Sequence, residues 1–186
     1  MRKRPSGKLR IIGGEHRSRI IEFAGDSGVR PTPDRVRQTV FDWLAPIIEG
    51  AHCLDLFAGS GAMGLEALSR GASLVTLVES GRTQIELIRT ALVVLKAESR
   101  ALLHAGDALR FLEQTHERFD IVFLDPPYSS DLVPQALSLL PRVLKSGHRI
   151  YLEWSAGAKP AWPEGLRLIK EKQAGQVSYA LATFHE

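Results

Sequence analysis

The sequence predicts an α/β fold, in which a mostly parallel β-sheet carries helices on both faces, and three observations lead to this prediction. From residue 51 onward, apolar runs typical of strands alternate with amphipathic stretches typical of helices. The glycine-rich segment 59–64 joins the first of these strands to a helix. The last two β-type runs, near 166–172 and 176–184, flank the turn Ala174-Gly175 and predict an antiparallel hairpin at the sheet edge.

Before residue 51 the pattern predicts a small hairpin followed by one helix. Two β-type runs at 8–14 and 18–23 are separated by a short turn and predict a two-stranded hairpin. Thr32 is expected to cap a helix that starts at Pro33 and covers roughly 33–48.

The remaining elements alternate in order along the chain. The predicted strands span 52–57, 73–78, 101–104, 119–124 and 149–153. The predicted helices span 62–70, 82–97, 108–115 and about 131–143. Because sequential parallel strands need helical crossovers, this order favours helices on both faces of one sheet.

Length and composition exclude several classes of protein. The 186 residues suit one domain and are too few for a cofactor domain plus a separate large substrate domain. Hydrophobic residues make up 44% and charged residues 24%, as in soluble globular proteins, and no apolar run approaches about 18 residues. The single cysteine, Cys53, excludes an internal disulfide and a multi-cysteine metal site.

Basic residues are concentrated at the N-terminus. Residues 1–38 contain ten Lys or Arg and four Asp or Glu, a formal charge of +6, whereas residues 39–186 carry −3. A basic arm on a mildly acidic body indicates a polyanionic partner, most often nucleic acid, although a solvated tail has the same composition.

The segment 59–64 matches the G-x-G-x-x-G pattern of nucleotide-binding loops. Glycines there permit a tight turn, close ligand approach and close helix packing, at the carboxyl end of a strand. Glu79 ends the next predicted strand, 20 residues after Gly59, where an acid can accept hydrogen bonds from ribose hydroxyls. A purely structural glycine turn is the alternative.

Asp55, just before the glycines, discriminates between two classes of nucleotide. A dinucleotide places its pyrophosphate at the helix N-terminus, where Asp55 would repel it. S-adenosylmethionine has no phosphate and carries a positive sulfonium, which suits a carboxylate, so the sequence favours this methyl donor. Asp107 follows the strand at 101–104 and fits a hydrogen bond to the adenine amino group and a helix N-cap equally well.

The sequence Asp125-Pro126-Pro127-Tyr128 follows an apolar strand and fits the methylation of an exocyclic amine. Asp125 and the Pro126 carbonyl can accept the amino hydrogens and localise the nitrogen lone pair. The two prolines stiffen the loop, and Tyr128 offers a face on which a base can stack. A stiff proline turn is the alternative, but it leaves the acid and the aromatic residue unexplained.

Segments 55–62 and 125–128 resemble those of class I amino-methyltransferases, and four further segments are similar to RsmD-type 16S ribosomal RNA guanine-N2 methyltransferases. These segments are Ile11-Ile-Gly-Gly-Glu15, Arg30-Pro-Thr32 leading to Asp34-Arg-Val-Arg37, Gly64-Leu-Glu-Ala-Leu-Ser-Arg-Gly71 and Lys172-Gln-Ala-Gly-Gln-Val-Ser-Tyr179. The likeness runs over nearly the whole chain. Pro33 and the run Ser80-Gly81-Arg82 depart from the family pattern, which has a second threonine and an acidic residue there.

The resemblance implies a Rossmann-like class I methyltransferase fold with a seven-stranded sheet. S-adenosylmethionine would be the methyl donor, and a guanine of 16S rRNA in the small ribosomal subunit the substrate. The implied donor-binding residues are Asp55, Phe57, Gly59, Gly61, Glu79, Asp107 and Ala108. The implied catalytic residues are Asp125, Pro126, Pro127 and Tyr128.

The resemblance also gives the basic arm a role. Residues 1–32 become an RNA-docking extension of a methyltransferase domain at 33–186. The candidate RNA contacts are Arg10, Arg17 and Arg30 in this arm and Arg35 just after it. We expect a cytoplasmic monomer that needs no metal and contacts no membrane.

Three other functions remain open at this point. The loop at 125–128 can serve several amines, so an adenine-N6 methyltransferase is one alternative. A nicotinamide-dependent dehydrogenase is a second, against which Asp55 and the missing substrate domain argue. A non-catalytic RNA-binding module is the third. Trp43, Trp154 and Trp162 are expected to pack rather than to stack bases, and Glu153 fits a structural or a cofactor-binding role.

Overall fold

Helices cover both faces of a seven-stranded sheet in the computed structural model, which describes residues 6–25, 31–126 and 131–185. The strands are β1 (Ser6–Arg10), β2 (Ile20–Ala24), β3 (His52–Asp55), β4 (Leu74–Glu79), β5 (Ala101–Ala105), β6 (Phe119–Leu124), β7 (Leu144–Ser155), β8 (Leu166–Ala174) and β9 (Val177–Phe184). The helices are α1 (Asp34–Leu44), α2 (Ala62–Ser69), α3 (Arg82–Leu95), α4 (Ala108–Gln114) and α5 (Leu132–Leu139). Short 3-10 helices span Glu98–Arg100 and Leu140–Val143.

The order of strands in the large sheet is β5-β4-β3-β6-β7-β9-β8. Strands β3 to β7 are parallel to one another, whereas β9 is antiparallel to both of its neighbours, β7 and β8. From β3 to β5 the chain adds strands on one side of β3, and with β6 it continues on the other side. Such a topological switch point opens a crevice at the carboxyl ends of the strands. The prediction of a Rossmann-like sheet with a C-terminal hairpin is confirmed.

Two apolar layers hold the helices on the sheet. One, here called the α1 face, buries Cys53, Phe123, Tyr151 and Leu181 of the sheet against α1, α2 and α3. The other, here called the α4 face, buries Leu54, Val122, Ile150 and Ala182 against α4 and α5. These two sets come from alternating positions along the strands, as the two-residue period of a β-strand requires.

Several predicted boundaries are wrong. Helix α1 begins at Asp34, no side chain caps it, and it ends at Leu44 rather than near residue 48. Thr32 is buried, and its carbonyl accepts a hydrogen bond from Arg37 instead. Strand β7 begins at Leu144 and ends at Ser155, because pairing with β6 and β9 extends it beyond the predicted 149–153. The helix predicted at 131–143 is α5 followed by a 3-10 turn.

The N-terminal hairpin is confirmed and packs directly on the body. Strands β1 and β2 pair antiparallel, with Arg10 opposite Ile20. Buried side chains of β1, of β2 and of the residue directly after β1 join the same apolar layer as α1 to α3, and they are Leu9, Ile11, Ile21 and Phe23. The arm is therefore anchored through hydrophobic burial as well as through polar contacts.

Glu66 on α2 is the centre of those polar contacts. Its side chain is fully buried and accepts hydrogen bonds from the backbone N–H groups of Ile12 and Gly13, each at 2.9 Å. It also accepts from Arg37 at 3.3 Å and from Arg70 at 2.8 Å. Three of the segments that resemble the family, at 11–15, 34–37 and 64–71, therefore meet at one carboxylate.

Arg37 is itself fully buried and completes the network. Its guanidinium donates to Asp34, to Glu66 and to the carbonyls of Arg10 and Thr32. These four partners lie on the arm, on α1 or on α2, so Arg37 links all three. A buried guanidinium requires such complete pairing because its charge is costly to remove from water.

The turn of the arm closes over the C-terminal end of α2. Ser69 Oγ accepts from the N–H of His16 and donates to the carbonyl of Gly13, while its own carbonyl accepts from Glu15 N–H. Gly14 has a φ of +76°, and a Cβ there would lie 1.8 Å from the Ser69 carbonyl oxygen. Only glycine fits this close approach.

Candidate active site

The predicted site residues converge at the carboxyl edge of the sheet. Asp55 ends β3 and lies in register with Leu77 of β4 and Phe123 of β6. Glu79 ends β4, and Asp125 follows directly after β6. Because these strands are parallel neighbours, the residues at their ends share one edge, which is where α/β sheets bind ligands.

The glycine loop between β3 and α2 is tightly turned. Gly61 has a φ of +78° and immediately precedes α2, and its N–H donates to the Ala58 carbonyl at 2.6 Å. At Gly64 a Cβ would lie 2.7 Å from Leu77 and 3.1 Å from the Asp55 carboxylate. Glycine at these two positions therefore serves the turn and the close packing of α2 on the sheet, as the sequence pattern predicts.

Asp55 is a buried carboxyl with one backbone partner. Its Oδ2 accepts a hydrogen bond from the N–H of Gly64 at 2.9 Å. Burial raises the pKa of Asp55 to about 7, and the charge of Glu79 adds to the rise, while the bond from Gly64 opposes it. Near neutral pH this group is close to balance between its two protonation states, so that a nearby positive charge would favour the carboxylate.

Glu79 ties two loops together at the same edge. Its Oε2 accepts from the N–H of Gly59 at 2.7 Å, and its Oε1 accepts from the N–H of Gly81 at 2.6 Å. Each carboxylate oxygen has a second lone pair. The two amide bonds fix the side chain and leave acceptor capacity for further hydroxyl groups.

Asp107 forms the helix cap that was one of its two predicted roles. Its Oδ1 accepts from the N–H of Arg110 at 2.9 Å at the start of α4. The side chain is exposed, and Ala108, the first residue of the helix, is buried. The other residue expected near the donor, Phe57, is half-buried and packs against the α4 face.

Asp125 lies next to two further acids. It is half-buried, and Pro126 after it is buried. Burial raises the pKa of Asp125 well above its ordinary value, and the charges of Glu153 and Asp55 raise it further. The predicted catalytic residues Pro127 and Tyr128 lie outside the described residues.

Glu153 comes close to Asp125 through strand pairing. Leu124 of β6 pairs with Leu152 of β7, so the next residues of the two strands are neighbours on the α1 face. Glu153 is buried, and its Oε1 accepts a hydrogen bond from the hydroxyl of Tyr151. The proximity of Glu153 to Asp125 was not predicted from the sequence, although both residues lie near the carboxyl ends of neighbouring strands.

Aromatic residues near this edge are packed. Trp43 of α1 stacks on Tyr179 of β9 with ring centroids 5.6 Å apart, and Trp154 meets Trp162 edge to face at 5.2 Å. The expectation that the tryptophans pack within the fold fits these contacts. The Trp43–Tyr179 pair joins two distant segments and has no signal in the local sequence.

The candidate RNA contacts of the arm are partly described. Arg10 and Arg17 are exposed on the hairpin, and Arg35 is exposed in the first turn of α1. Arg30 lies outside the described residues.

Neither a metal-binding cluster nor a membrane-spanning helix is found among the described residues. No group of three or more His, Cys, Asp or Glu side chains in residues 6–25, 31–126 and 131–185 could hold a metal ion. Over the same ranges, none of the helices combines the length and apolar character needed to cross a membrane.

Comparisons with known proteins agree with the fold and identify the family. The family model described as "Conserved hypothetical protein 95" matches residues 9–183. The Ribosomal RNA small subunit methyltransferase D of Escherichia coli strain K12 is 44% identical over 179 residues, which are 95% of this chain and 90% of that protein. The protein of the same name from Haemophilus influenzae is 43% identical over 94% of this chain and 93% of its own length. The solved structure of Escherichia coli yhhF is 43% identical, has a TM-score of 0.86, and matches over 96% of this chain and 98% of that chain. The chain therefore belongs to the ribosomal RNA small subunit methyltransferase D family, which confirms the resemblance found in its sequence.

Proposed function

We propose that this protein transfers a methyl group from S-adenosylmethionine to the exocyclic N2 amine of a guanine in 16S rRNA of the small ribosomal subunit. The observation that carries the proposal is the position of Asp125, whose carboxyl is held at the carboxyl edge of the sheet beside Asp55 and Glu153. The names of the relatives support small-subunit rRNA as the substrate. The choice of guanine N2 rests on the sequence resemblance.

The glycine loop and its acids fit S-adenosylmethionine better than a dinucleotide. Among the described residues, no Lys or Arg forms an ion pair with Asp55 or Glu79. Two carboxyls without a cation would repel a pyrophosphate and attract a positively charged donor. We therefore place the donor along the loop, with its ribose at Glu79 and its adenine at Asp107. The full proposed set is Asp55, Phe57, Gly59, Gly61, Glu79, Asp107 and Ala108.

Asp125 supplies the chemistry at the target amine. S-adenosylmethionine, when bound, supplies a methyl group on a positively charged sulfur, and its sulfur–methyl bond breaks as the nitrogen–methyl bond forms. Asp125 and the Pro126 carbonyl accept hydrogen bonds from the amine and hold its lone pair toward the methyl carbon. The raised pKa of Asp125 makes its carboxylate a stronger base for the proton that the nitrogen loses. Pro127 and Tyr128 are proposed to stiffen the loop and to stack on the base.

The arm is proposed to dock the RNA. Exposed Arg10, Arg17 and Arg35 are available for phosphate contacts, and Arg30 is proposed for the same role. We also infer that the protein acts as a monomer in the cytoplasm, where ribosomal subunits are assembled.

A labelling experiment tests this function. Isotopically labelled S-adenosylmethionine is offered to small subunits that lack the modification and to naked 16S rRNA, and the labelled nucleoside is identified by mass spectrometry. We expect label in N2-methylguanosine. Label in N6-methyladenosine, or none with either substrate, would contradict the proposal. Thermal stabilisation of the protein by S-adenosylmethionine but not by NAD checks the donor independently.

A further inference from the structure

Strand β8 contains an irregularity that changes which side chains face α1. Leu168 pairs with Ala182 of β9, but Lys170 pairs with Leu181, so Ile169 is an extra residue with no register partner. Ala182 belongs to the α4 face and Leu181 to the α1 face. Residues 168 and 170 would share a face in a regular strand, whereas this β-bulge directs them to opposite faces.

The bulge places two lysines above an aromatic ring. Lys170 and Lys172 lie on the α1 face, and their ammonium groups are 5.9 Å and 6.0 Å from the centre of the Trp43 ring. Both lysines are exposed, and neither forms an ion pair within the described part of the chain. Glu171, between them, faces the other side and pairs with Lys159. The α1 face of β8 therefore carries positive charge that the fold leaves unbalanced.

This surface is continuous with the candidate active site. Lys172 pairs with Tyr179 of β9, and Tyr179 in turn pairs with Glu153 of β7, the neighbour of Asp125. Three strand spacings separate β8 from β6, a distance of roughly 14 Å. Tyr179 also stacks on Trp43, and this contact holds the Trp43 ring in place beneath the lysines. A short stretch of polyanion could thus contact the lysines while one of its bases reaches Asp125.

We propose that Lys170 and Lys172, held over Trp43, form a second RNA-docking surface that binds phosphates next to the target guanine. The proposal rests on the proposed function, because it needs RNA as the substrate. Cation–π contact holds the ammonium groups in place, and phosphate neutralises the charge that the fold leaves unpaired. Lysines on an edge strand also prevent strands of two molecules from pairing, and the experiment separates this role from RNA docking.

The test compares the two lysines over Trp43 with a single lysine over another tryptophan, Trp154. The double variant Lys170→Ala, Lys172→Ala removes the proposed surface. The control Lys159→Ala removes a lysine that lies 5.9 Å from the Trp154 ring and pairs with Glu171, away from the α1 face. Binding of each variant to naked 16S rRNA and to small subunits is measured over a range of salt concentrations, together with KM and kcat for methyl transfer.

We expect the double variant to bind RNA roughly tenfold more weakly and to lose about one to two units of the salt slope, because two phosphate contacts are gone. KM should rise with kcat and donor affinity unchanged, and Lys170→Arg, Lys172→Arg should behave like the parent protein. Lys159→Ala should change none of these quantities.

Three results would overturn the proposal. The first is an RNA affinity and a salt slope that are unchanged in the double variant. If part of this variant aggregates, both quantities are measured on its monomeric fraction. The second is weaker binding to small subunits with unchanged binding to naked rRNA, which would indicate a protein contact. The third is an equal loss in the Lys159→Ala control. Because RNA binding is measured without turnover, a failure of the methylation assay with intact protein would count against the proposed function and not against this surface.

Discussion

Two buried carboxyls of this protein have opposite surroundings. Glu66 on α2 accepts hydrogen bonds from two guanidinium groups, those of Arg37 and Arg70, and from two backbone amides. Asp55 at the end of β3 accepts one backbone amide bond, and no Lys or Arg of the described residues pairs with it. Both side chains are almost completely removed from water.

The difference in surroundings distinguishes a carboxyl that stabilises the fold from carboxyls that are suited to bind a ligand. A buried charge is tolerated when cations and hydrogen bonds compensate it, and Glu66 has both within the chain. No Lys or Arg of the described residues forms an ion pair with Asp55 or Asp125, and burial raises the pKa of each. Such groups are favourable as carboxylates only when a ligand brings positive charge or hydrogen-bond donors, which is typical of functional sites.

The largest expected effect concerns Asp125, a carboxyl without a cationic partner among the described residues. Asp125→Ala should lower kcat for methyl transfer by about 10²- to 10⁴-fold, because the amine loses its acceptor and its base. Donor affinity, measured by titration calorimetry, should persist. The variant should unfold at the same temperature as the parent or higher, since a carboxyl close to Glu153 and Asp55 is removed. Near-normal turnover would contradict the assigned role.

The next effect tests the compensated side. Glu66→Ala should destabilise the fold by about 3–5 kcal/mol, because the buried guanidinium of Arg37 loses its buried partner. Urea unfolding measures this difference. The control is Glu86→Ala, which breaks an exposed ion pair with Arg82 at 3.5 Å and should cost less than about 1 kcal/mol. Equal losses of unfolding free energy in the two variants would show that the buried carboxylate stabilises the fold no more than the exposed one.

The pH dependence of stability sharpens the comparison at Asp55. Its pKa is about 7 in the folded protein and near 4 when unfolded, so the folded state binds more protons between these values. The stability that the protonated Asp55 carboxyl contributes is therefore fully present below about pH 4 and is lost as the pH rises through 7. Between pH 5 and 8 we expect Asp55 to contribute a decrease of roughly 2–3 kcal/mol, measured by urea unfolding.

The variant Asp55→Asn should remove that contribution and bind the donor more weakly by calorimetry. Asp125 shifts in the same direction and remains in the variant, so some decrease with pH should persist. Identical pH profiles for the variant and the parent would show that Asp55 is not the group responsible.

The smallest expected effect concerns the turn that docks beside Glu66. Gly14→Ala introduces a Cβ 1.8 Å from the Ser69 carbonyl oxygen, whereas Gly50→Ala, at a similar φ of +74°, meets no atom within 4 Å. We expect about 1 kcal/mol of destabilisation at Gly50 from the backbone conformation alone, and about 2 kcal/mol or more at Gly14. Equal melting temperatures for the two variants would show that the turn moves freely away from α2.

Local pattern was sufficient to predict most of the fold. Each strand of the large sheet except β7, and each helix from α2 to α4, lies within a few residues of its predicted span, because apolar periodicity determines which face of an element is buried. The errors occur where distant contacts decide. Thr32 fails to cap α1 because its carbonyl accepts from Arg37, and β7 lengthens because β9 pairs with it.

The candidate site was predictable to a lesser degree. Asp55, Glu79 and Asp125 were predicted because each lies at the end of an apolar strand or directly after one, and parallel strands bring their carboxyl ends together. The role of Glu66 was not predicted, because three of its four partners lie 29 to 54 residues away along the chain, and the local pair with Arg70 does not reveal that the carboxylate is buried. The same reason applies to Trp43 and Tyr179, which meet only in the folded chain.

The bulge at Ile169 determines on which face of β8 the two lysines lie. If β8 kept its length but paired regularly, Ile169 and Glu171 would lie opposite Leu181 and Tyr179, and the lysines would face the α4 side. A relative with one residue fewer between Leu168 and Lys170 could instead present the same lysines from a regular strand. Loss of Ile169 with regular pairing would therefore keep the two lysines above Trp43, whereas regular pairing at the present length would turn them to the other face of the sheet.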